Sequence, residues 1–127
     1  MTAPDWIDAI VRDFGRSAGL SDFTLNERGA AAASFDNGVT LRFEYVADAL
    51  MVAVTVPAAL DSARAAALLA YAHPDAGLGL RVRAGYLAAR GCAVFAIRLD
   101  ARDATLPAVN RAFDVLWRVA QEFGGAA

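Results

Sequence analysis

The sequence contains no lysine, one cysteine and one histidine among its 127 residues. A lone cysteine excludes an intrachain disulfide, which is typical of a reducing compartment. Because Cys92 lies in the apolar run Cys92–Ala93–Val94–Phe95, we expect a buried thiol rather than a nucleophile. One histidine and one distant cysteine cannot supply a catalytic triad or a metal-binding set. His73 is expected to be an exposed residue at the end of a helix, beside Pro74.

All twelve basic residues are arginine, the net charge is −2 and the isoelectric point is about 5.2. No basic stripe stands out, which argues against nucleic-acid binding. The carboxylates stand singly, and Asp100 and Asp103 are typical of turn and capping residues rather than of an acid–base pair. The sequence therefore predicts a protein that is not an enzyme and that needs no cofactor and no metal.

The chain also lacks long apolar runs, so no membrane span is predicted. Residues 1–5 lack the basic and apolar regions of a signal peptide, and we expect a cytoplasmic protein. The length suits a single domain over residues 1–127. Apolar residues make up 57% of the sequence, and 31 residues are alanine. The excess favours apolar surface reserved for a partner or a second subunit.

Three segments have helical spacing of apolar residues. The first runs from Pro4 to about Gly19, with Trp6, Ile10 and Phe14 on one face, widened by Ile7 and Val11. The second is the alanine-rich segment Leu60–Ala72, capped by Asp61 or Ser62 and followed by a loop at Asp75–Gly79. The third begins at Leu106–Pro107, capped by Thr105 or Asp103, and stops at Gly124–Gly125.

Five segments are predicted to be strands. They are Ala30–Phe35, Val39–Tyr45, Leu50–Val56, Leu80–Ala84 and Ala93–Leu99. Turns are predicted at Asp36–Asn37–Gly38, Ala47–Asp48 and Ala89–Gly91. The last strand is apolar on both faces and should be central. The order α-β-β-β-α-β-β-α predicts the α+β class, with helices packed on a twisted antiparallel sheet.

Three local patterns then point to a known family. They are Leu25–Asn26–Glu27 with Ser34–Phe35–Asp36, Leu68–Ala72 with Leu78–Gly79–Leu80, and Gly91–Asp100 with Ala104–Thr105–Leu106. With the element order, they make the chain from Trp6 to Phe123 resemble the class I type III secretion chaperones of the Tir-chaperone type. The resemblance implies a bacterial cytoplasmic homodimer. It also implies that an extended N-terminal segment of a secreted effector wraps around this dimer without ATP and stays competent for secretion.

The resemblance assigns two sets of candidate residues. The effector-binding candidates are Ile7, Val11, Phe35, Leu41, Phe43 and Met51, and the candidates for the dimer interface are Leu68, Leu69, Tyr71, Leu80 and Val82. Core packing is the alternative for both sets. In particular, helices are expected to cover the strand face of Leu41 and Phe43. Met51 is the more attractive candidate because it lies on the opposite face from Leu50.

Two other functions stay open at the level of sequence. One is a small-molecule-binding or enzymatic α+β domain with a cavity under the sheet. The other is a scaffold domain of the same fold that dimerises but binds no secreted protein.

Overall fold

A computed structural model describes residues 3–73 and 80–125 of the chain. The three helices are α1 (Asp5–Ser17), α2 (Ser62–Ala72) and α3 (Leu106–Gly125), and the five strands are β1 (Ala30–Ser34), β2 (Thr40–Val46), β3 (Ala49–Pro57), β4 (Arg83–Leu87) and β5 (Cys92–Asp100). This order confirms the predicted α+β class. The predicted loop at Asp75–Gly79 lies outside the described residues.

The strands form one antiparallel sheet in the order β1-β2-β3-β5-β4. β5 lies between β3 and β4, which confirms its predicted central position. The prediction for β4 was wrong by three residues: the strand is Arg83–Leu87 instead of Leu80–Ala84. The turn before Cys92 explains the shift. It pairs Leu87 with Cys92, and the ladder continues from there to Arg83 opposite Ala96.

The two faces of the sheet differ in burial. The inner face carries Leu41, Phe43, Val52, Val54 and Phe95, all fully buried. All three helices contact this face: Phe14 of α1 packs on Phe43, while Tyr71 of α2 and Phe123 of α3 pack on Phe95. The outer face is the opposite side of the sheet. Its side chains are exposed or half-exposed, except for Ala49 and Cys92.

Helix α1 has a narrower buried stripe than its sequence predicts. Ile7, Val11 and Phe14 are buried, whereas Trp6 is 48% exposed. Successive helical residues are turned by about 100°, so Trp6 lies about 140° around the helix from Val11 and outside the buried stripe. The expectation that Trp6 belongs to the core was therefore wrong.

Side-chain caps mark the N-terminal ends of α2 and α3. Asp61 caps α2, because its Oδ1 accepts a hydrogen bond from the backbone N–H of Arg64 at 2.8 Å. Thr105 precedes α3, and its Oγ1 accepts from the N–H of Ala108 at 3.2 Å. Each of these was one of two predicted caps. Cys92 is buried, as its apolar neighbours predict.

The turn between β2 and β3 is strained. Ala47 and Asp48 have φ values of 52° and 56°, the left-handed region that a two-residue hairpin requires and that alanine disfavours. Ala47→Asn is expected to stabilise the fold by about 0.5–1 kcal/mol, because asparagine tolerates this region better. Chemical denaturation of the variant and the wild type measures the difference.

Gly19→Ala is the matched control for this substitution. Gly19 has a φ of 74°, and nothing lies within 4 Å of a Cβ added there, so the control isolates backbone strain. It should destabilise the fold by about 1 kcal/mol. An Ala47→Asn protein no more stable than the wild type would show that the turn is not under strain.

Candidate protein-interaction surfaces

Four of the six effector-binding candidates lie in the core. Ile7, Val11, Leu41 and Phe43 have no exposed surface. The ring of Phe43 lies 5.0 Å from that of Phe14, in an aromatic cluster that also contains Phe23. A partner could contact these side chains only if α1 moved off the sheet. The structure therefore removes these four residues from the proposed binding surface, and core packing accounts for them.

The other two candidates remain accessible. Phe35 follows β1 and is half-buried against Trp117 of α3, with ring centroids 5.0 Å apart. Met51 is half-exposed on the outer face, where it pairs with Glu44 on one side and Arg98 on the other. Phe35 and Met51 do not form one cluster, because Phe35 packs on α3 and Met51 lies on the outer face.

The candidates for the dimer interface also divide between core and surface. Leu68 and Val82 are buried in the protomer, whereas Tyr71 and Leu80 are half-buried. Leu69 is 73% exposed, more than any other large apolar side chain in the described part of the chain. Around it, the exposed side of α2 consists of Ser62, Ala63, Ala66 and Ala70. This side of α2, the α2 face, carries no charged side chain.

Polar and aromatic contacts hold α2 in place. The Tyr71 hydroxyl donates to Glu122 of α3 at 3.1 Å, and the Tyr71 ring lies edge-on to Phe95 at 5.7 Å. Arg64 donates to the carbonyl of Ala59 and stands 5.9 Å from the ring centre of Phe123. Because these contacts tie α2 to α3 and to its own preceding loop, the α2 face is presented on an anchored helix.

The contact between Tyr71 and Glu122 predicts a dependence of stability on pH. Burial, followed by the hydrogen bond and the charge of Glu122, raises the pKa of Tyr71 above its ordinary value of 10.0. The neutral phenol is thus favoured in the fold, so this stabilisation is present below pH 10 and is lost as pH rises through the folded pKa. Tyr71→Phe should lower the free energy of unfolding by about 0.5–1.5 kcal/mol at neutral pH. It should also remove the part of the stability loss at alkaline pH that ionisation of Tyr71 causes.

Urea unfolding at neutral pH and above pH 10 tests this prediction. Glu122→Gln is the control, because the amide keeps a hydrogen-bond acceptor but removes the charge that contributes to the raised pKa. Equal stability of Tyr71→Phe and the wild type at neutral pH would contradict a role for this contact in holding α2.

Sequence reasoning missed two surfaces that the topology creates. One is the free edge of β1, whose residues are four alanines and a serine. The other is the centre of the outer face, where Arg42 and Arg83 lie in one row across the sheet. The alternation of apolar and polar residues in β2 already placed Arg42 on the other face of the strand from Leu41 and Phe43. However, no local signal pairs β3 with β5, and that pairing brings Arg42 and Arg83 into the same row.

The described residues show little arrangement for chemistry. In residues 3–73 and 80–125, no group of three or more histidine, cysteine or acidic side chains could hold a metal ion. An open cleft of about 360 Å³ lies at the β2–β3 turn, lined by Ala47, Asp48, Arg98, Asp100, Ala101 and Arg102. Its arginines and carboxylates are exposed, and Arg98 already contacts Asp100 at 3.4 Å. This cleft is not the predicted cavity under the sheet.

None of the helices in the described part of the chain combines the length and the apolar character needed to cross a membrane.

The fold matches the solved structures of several protein complexes, one of them from a type III secretion system. The ExsC–ExsE complex matches with a TM-score of 0.79 and 19% identity, covering 98% of this chain and 95% of the other. The HopA1–SchA chaperone–effector complex matches with a TM-score of 0.71 and 16% identity, covering 92% and 91%. The ExoU–SpcU complex of Pseudomonas aeruginosa gives 0.68 and 19%, covering 94% and 95%. At these identities the likeness establishes the fold.

The family follows from the sequence itself. No curated protein matches the chain in sequence. The model of the type III secretory system chaperone SycN family matches residues 6–124, nearly the whole chain. The chain therefore belongs to this family of type III secretion chaperones, which confirms the resemblance noted from the sequence.

Proposed function

We propose that this chain is a homodimeric chaperone of the bacterial cytoplasm that binds the extended N-terminal segment of a secreted effector and keeps it competent for secretion. The observation that carries the proposal is the family match over residues 6–124. The chain is inferred to act by binding rather than by catalysis, as the match to a family of chaperones implies.

The edge of β1 supports the binding of an extended segment. Gly29 and Phe35 form hydrogen bonds to β2, through Tyr45 and Val39 respectively. Backbone groups alternate in direction along a strand, so those of Ala32 and Ser34 point away from β2. Natural sheets protect free edges with charges, proline or bulges. The strand Ala30–Ser34 contains neither charge nor proline, and Asn26 bonds to the outward backbone groups of Ala30 only. The edge from Ala32 to Ser34 can therefore accept a strand from another chain.

The α2 face supports the homodimer. Leu69 and its neighbouring alanines form an exposed apolar side of a helix that carries no charge to repel a second copy. In a two-fold dimer the same surface of each protomer meets its counterpart, and alanines allow two helices to approach closely. Leu80 and Tyr71 are half-buried and complete the proposed interface, while Leu68 and Val82 support it from the protomer core.

Co-expression tests the proposed function. The probe is the N-terminal segment of a candidate secreted protein, chosen from those encoded near the gene of this chain, and the chain carries the affinity tag. We expect the segment to co-purify, to resist aggregation and to remain extended as judged by protease sensitivity. A segment that is equally soluble without the chain and does not co-purify would contradict the proposal.

Ala32→Pro identifies the edge that is used. Proline removes the outward N–H of Ala32 but none of the bonds to β2, so the fold should survive. Loss of co-purification with an unchanged melting temperature would assign strand addition to β1. Full retention of the partner would assign the segment to another surface.

A further inference from the structure

The centre of the outer face has small side chains. Ala53 of β3 and Ala96 of β5 are directly paired, and the next pair on the same face towards the start of β5 is Thr55 with Val94. All four are half-buried although no described helix covers them, because their neighbours on the sheet shield them. These four residues, the small-residue floor, provide a shallow surface that side chains of a partner can approach closely.

An arginine stands on each side of this floor. Arg42 of β2 is paired with Ala53, and Arg83 of β4 is paired with Ala96, so the four residues form one row across the sheet. Three strand spacings separate the two arginines, or about 14 Å between their backbones. That distance admits one peptide segment, whether an extended strand or a single helix about 10 Å wide.

The charges of these arginines are available to a partner. Arg83 forms no ion pair with any residue in the described part of the chain. Arg42 lies 3.5 Å from Glu44, but its side chain is 57% exposed, and such surface pairs exchange readily. With Arg98, the outer-face strands carry three arginines against Glu44 and Asp100, which leaves one net positive charge, and the two carboxylates already contact Arg42 and Arg98. The positive charge that the outer face offers a partner is therefore centred on Arg83, on a chain whose net charge is −2.

We infer that the outer face binds an acidic peptide segment. Small apolar side chains of the segment rest on the small-residue floor, and its carboxylates pair with Arg42 on one side and Arg83 on the other. This inference rests on the proposed function, because the segment belongs to the secreted partner. Apolar contact with the floor supplies binding energy, and the two arginines select for acidic residues and set the position of the segment.

A selection from random peptides tests the inference without knowledge of the partner. The probe is a phage-displayed library of random 20-residue peptides, selected on the immobilised full chain. Enriched peptides are expected to carry an excess of Asp and Glu around small apolar residues. Arg42→Glu/Arg83→Glu should weaken their binding by about tenfold or more, since two attractions become repulsions. Binding should also weaken as salt is raised.

Arg16→Glu/Arg118→Glu is the matched control. It makes the same change in net charge at exposed positions on α1 and α3, away from the outer face. It should change the affinity by less than the outer-face variant does. Melting temperatures of both variants show whether the fold is intact.

Three results would overturn the inference. These are failure to enrich any peptide, enrichment of peptides without an acidic excess, and equal binding by the wild type and the Arg42→Glu/Arg83→Glu variant. A lower molecular mass of that variant by light scattering would instead assign the face to self-association. None of these results depends on co-purification with the secreted segment, so failure of the inference and failure of the proposed function can be told apart.

Discussion

Phe43→Ala is expected to lower the free energy of unfolding by about 3–5 kcal/mol, a large part of the total of a domain of this size. Phe43 is fully buried, with its ring 5.0 Å from that of Phe14 and 5.2 Å from that of Phe23. Removing it leaves a cavity between α1 and the sheet that the surrounding aromatic rings cannot fill. Urea unfolding at a fixed protomer concentration measures the loss, because dimerisation would make stability depend on concentration.

Phe35→Ala is the control for this prediction. Phe35 is half-buried and contacts Trp117 from outside the core, so its removal should cost about 1–2 kcal/mol. If Phe43→Ala loses less stability than Phe35→Ala, the assignment of Phe43 to the core is wrong. If Phe43→Ala loses more stability than Phe35→Ala, failure of the Phe43→Ala protein to bind a partner is explained by unfolding rather than by a lost contact.

Leu69→Glu is expected to convert the proposed dimer into a folded monomer. Leu69 is 73% exposed in the single chain, so glutamate there should leave the protomer fold unchanged. In a two-fold interface the substitution buries two unpaired carboxylates, which costs several kcal/mol. Light scattering should show twice the chain mass of 13.3 kDa for the wild type and a single chain mass for the variant.

Val46→Glu is the matched control for Leu69→Glu. Val46 is also an exposed apolar residue, at 48%, but it lies at the β2–β3 turn and not on α2. The control should remain dimeric. A wild type that is monomeric at micromolar concentrations would contradict the proposed homodimer. A dimeric Leu69→Glu protein would place the interface elsewhere.

The proposed surfaces are separate in space. β1 and β4 are the two edges of the sheet, four strand spacings or about 19 Å apart. Helix α2 lies beside β4 on the inner side, whereas the small-residue floor is on the outer face between these edges. A second copy on the α2 face therefore leaves the β1 edge of each protomer open, whereas Arg83 on β4 lies next to the proposed dimer interface.

Local sequence predicted most of the elements, and the exceptions have specific causes. Alternation in Val39–Tyr45 and the Asn37–Gly38 turn predicted the hairpin of β1 and β2, because turn chemistry and strand period act over a few residues. The β4 prediction failed because alternation begins at Leu80, whereas the ladder is set by the turn that pairs Leu87 with Cys92. Trp6 was misplaced because helical spacing does not show where a buried stripe ends.

For the candidate binding residues, too, the sequence predicted the local pattern but not which side chains remain exposed. The sequence identified an apolar strand face at Leu41 and Phe43 but could not show whether helices or a partner cover it. Leu68 and Leu69 are adjacent in sequence, yet one is buried and the other is 73% exposed, since a turn of about 100° separates them on α2.

The sequence by itself determined the α+β class, the element order, the burial of Cys92 and membership of the chaperone family. These depend on local patterns of polarity and turn residues that persist in any context. The tertiary structure decided which apolar residues remain accessible, which edge of the sheet lacks protecting side chains, and how Arg42 and Arg83 share one row with Ala53 and Ala96. The physical reason is strand pairing: residues distant in the chain become neighbours only when the register of the sheet is fixed.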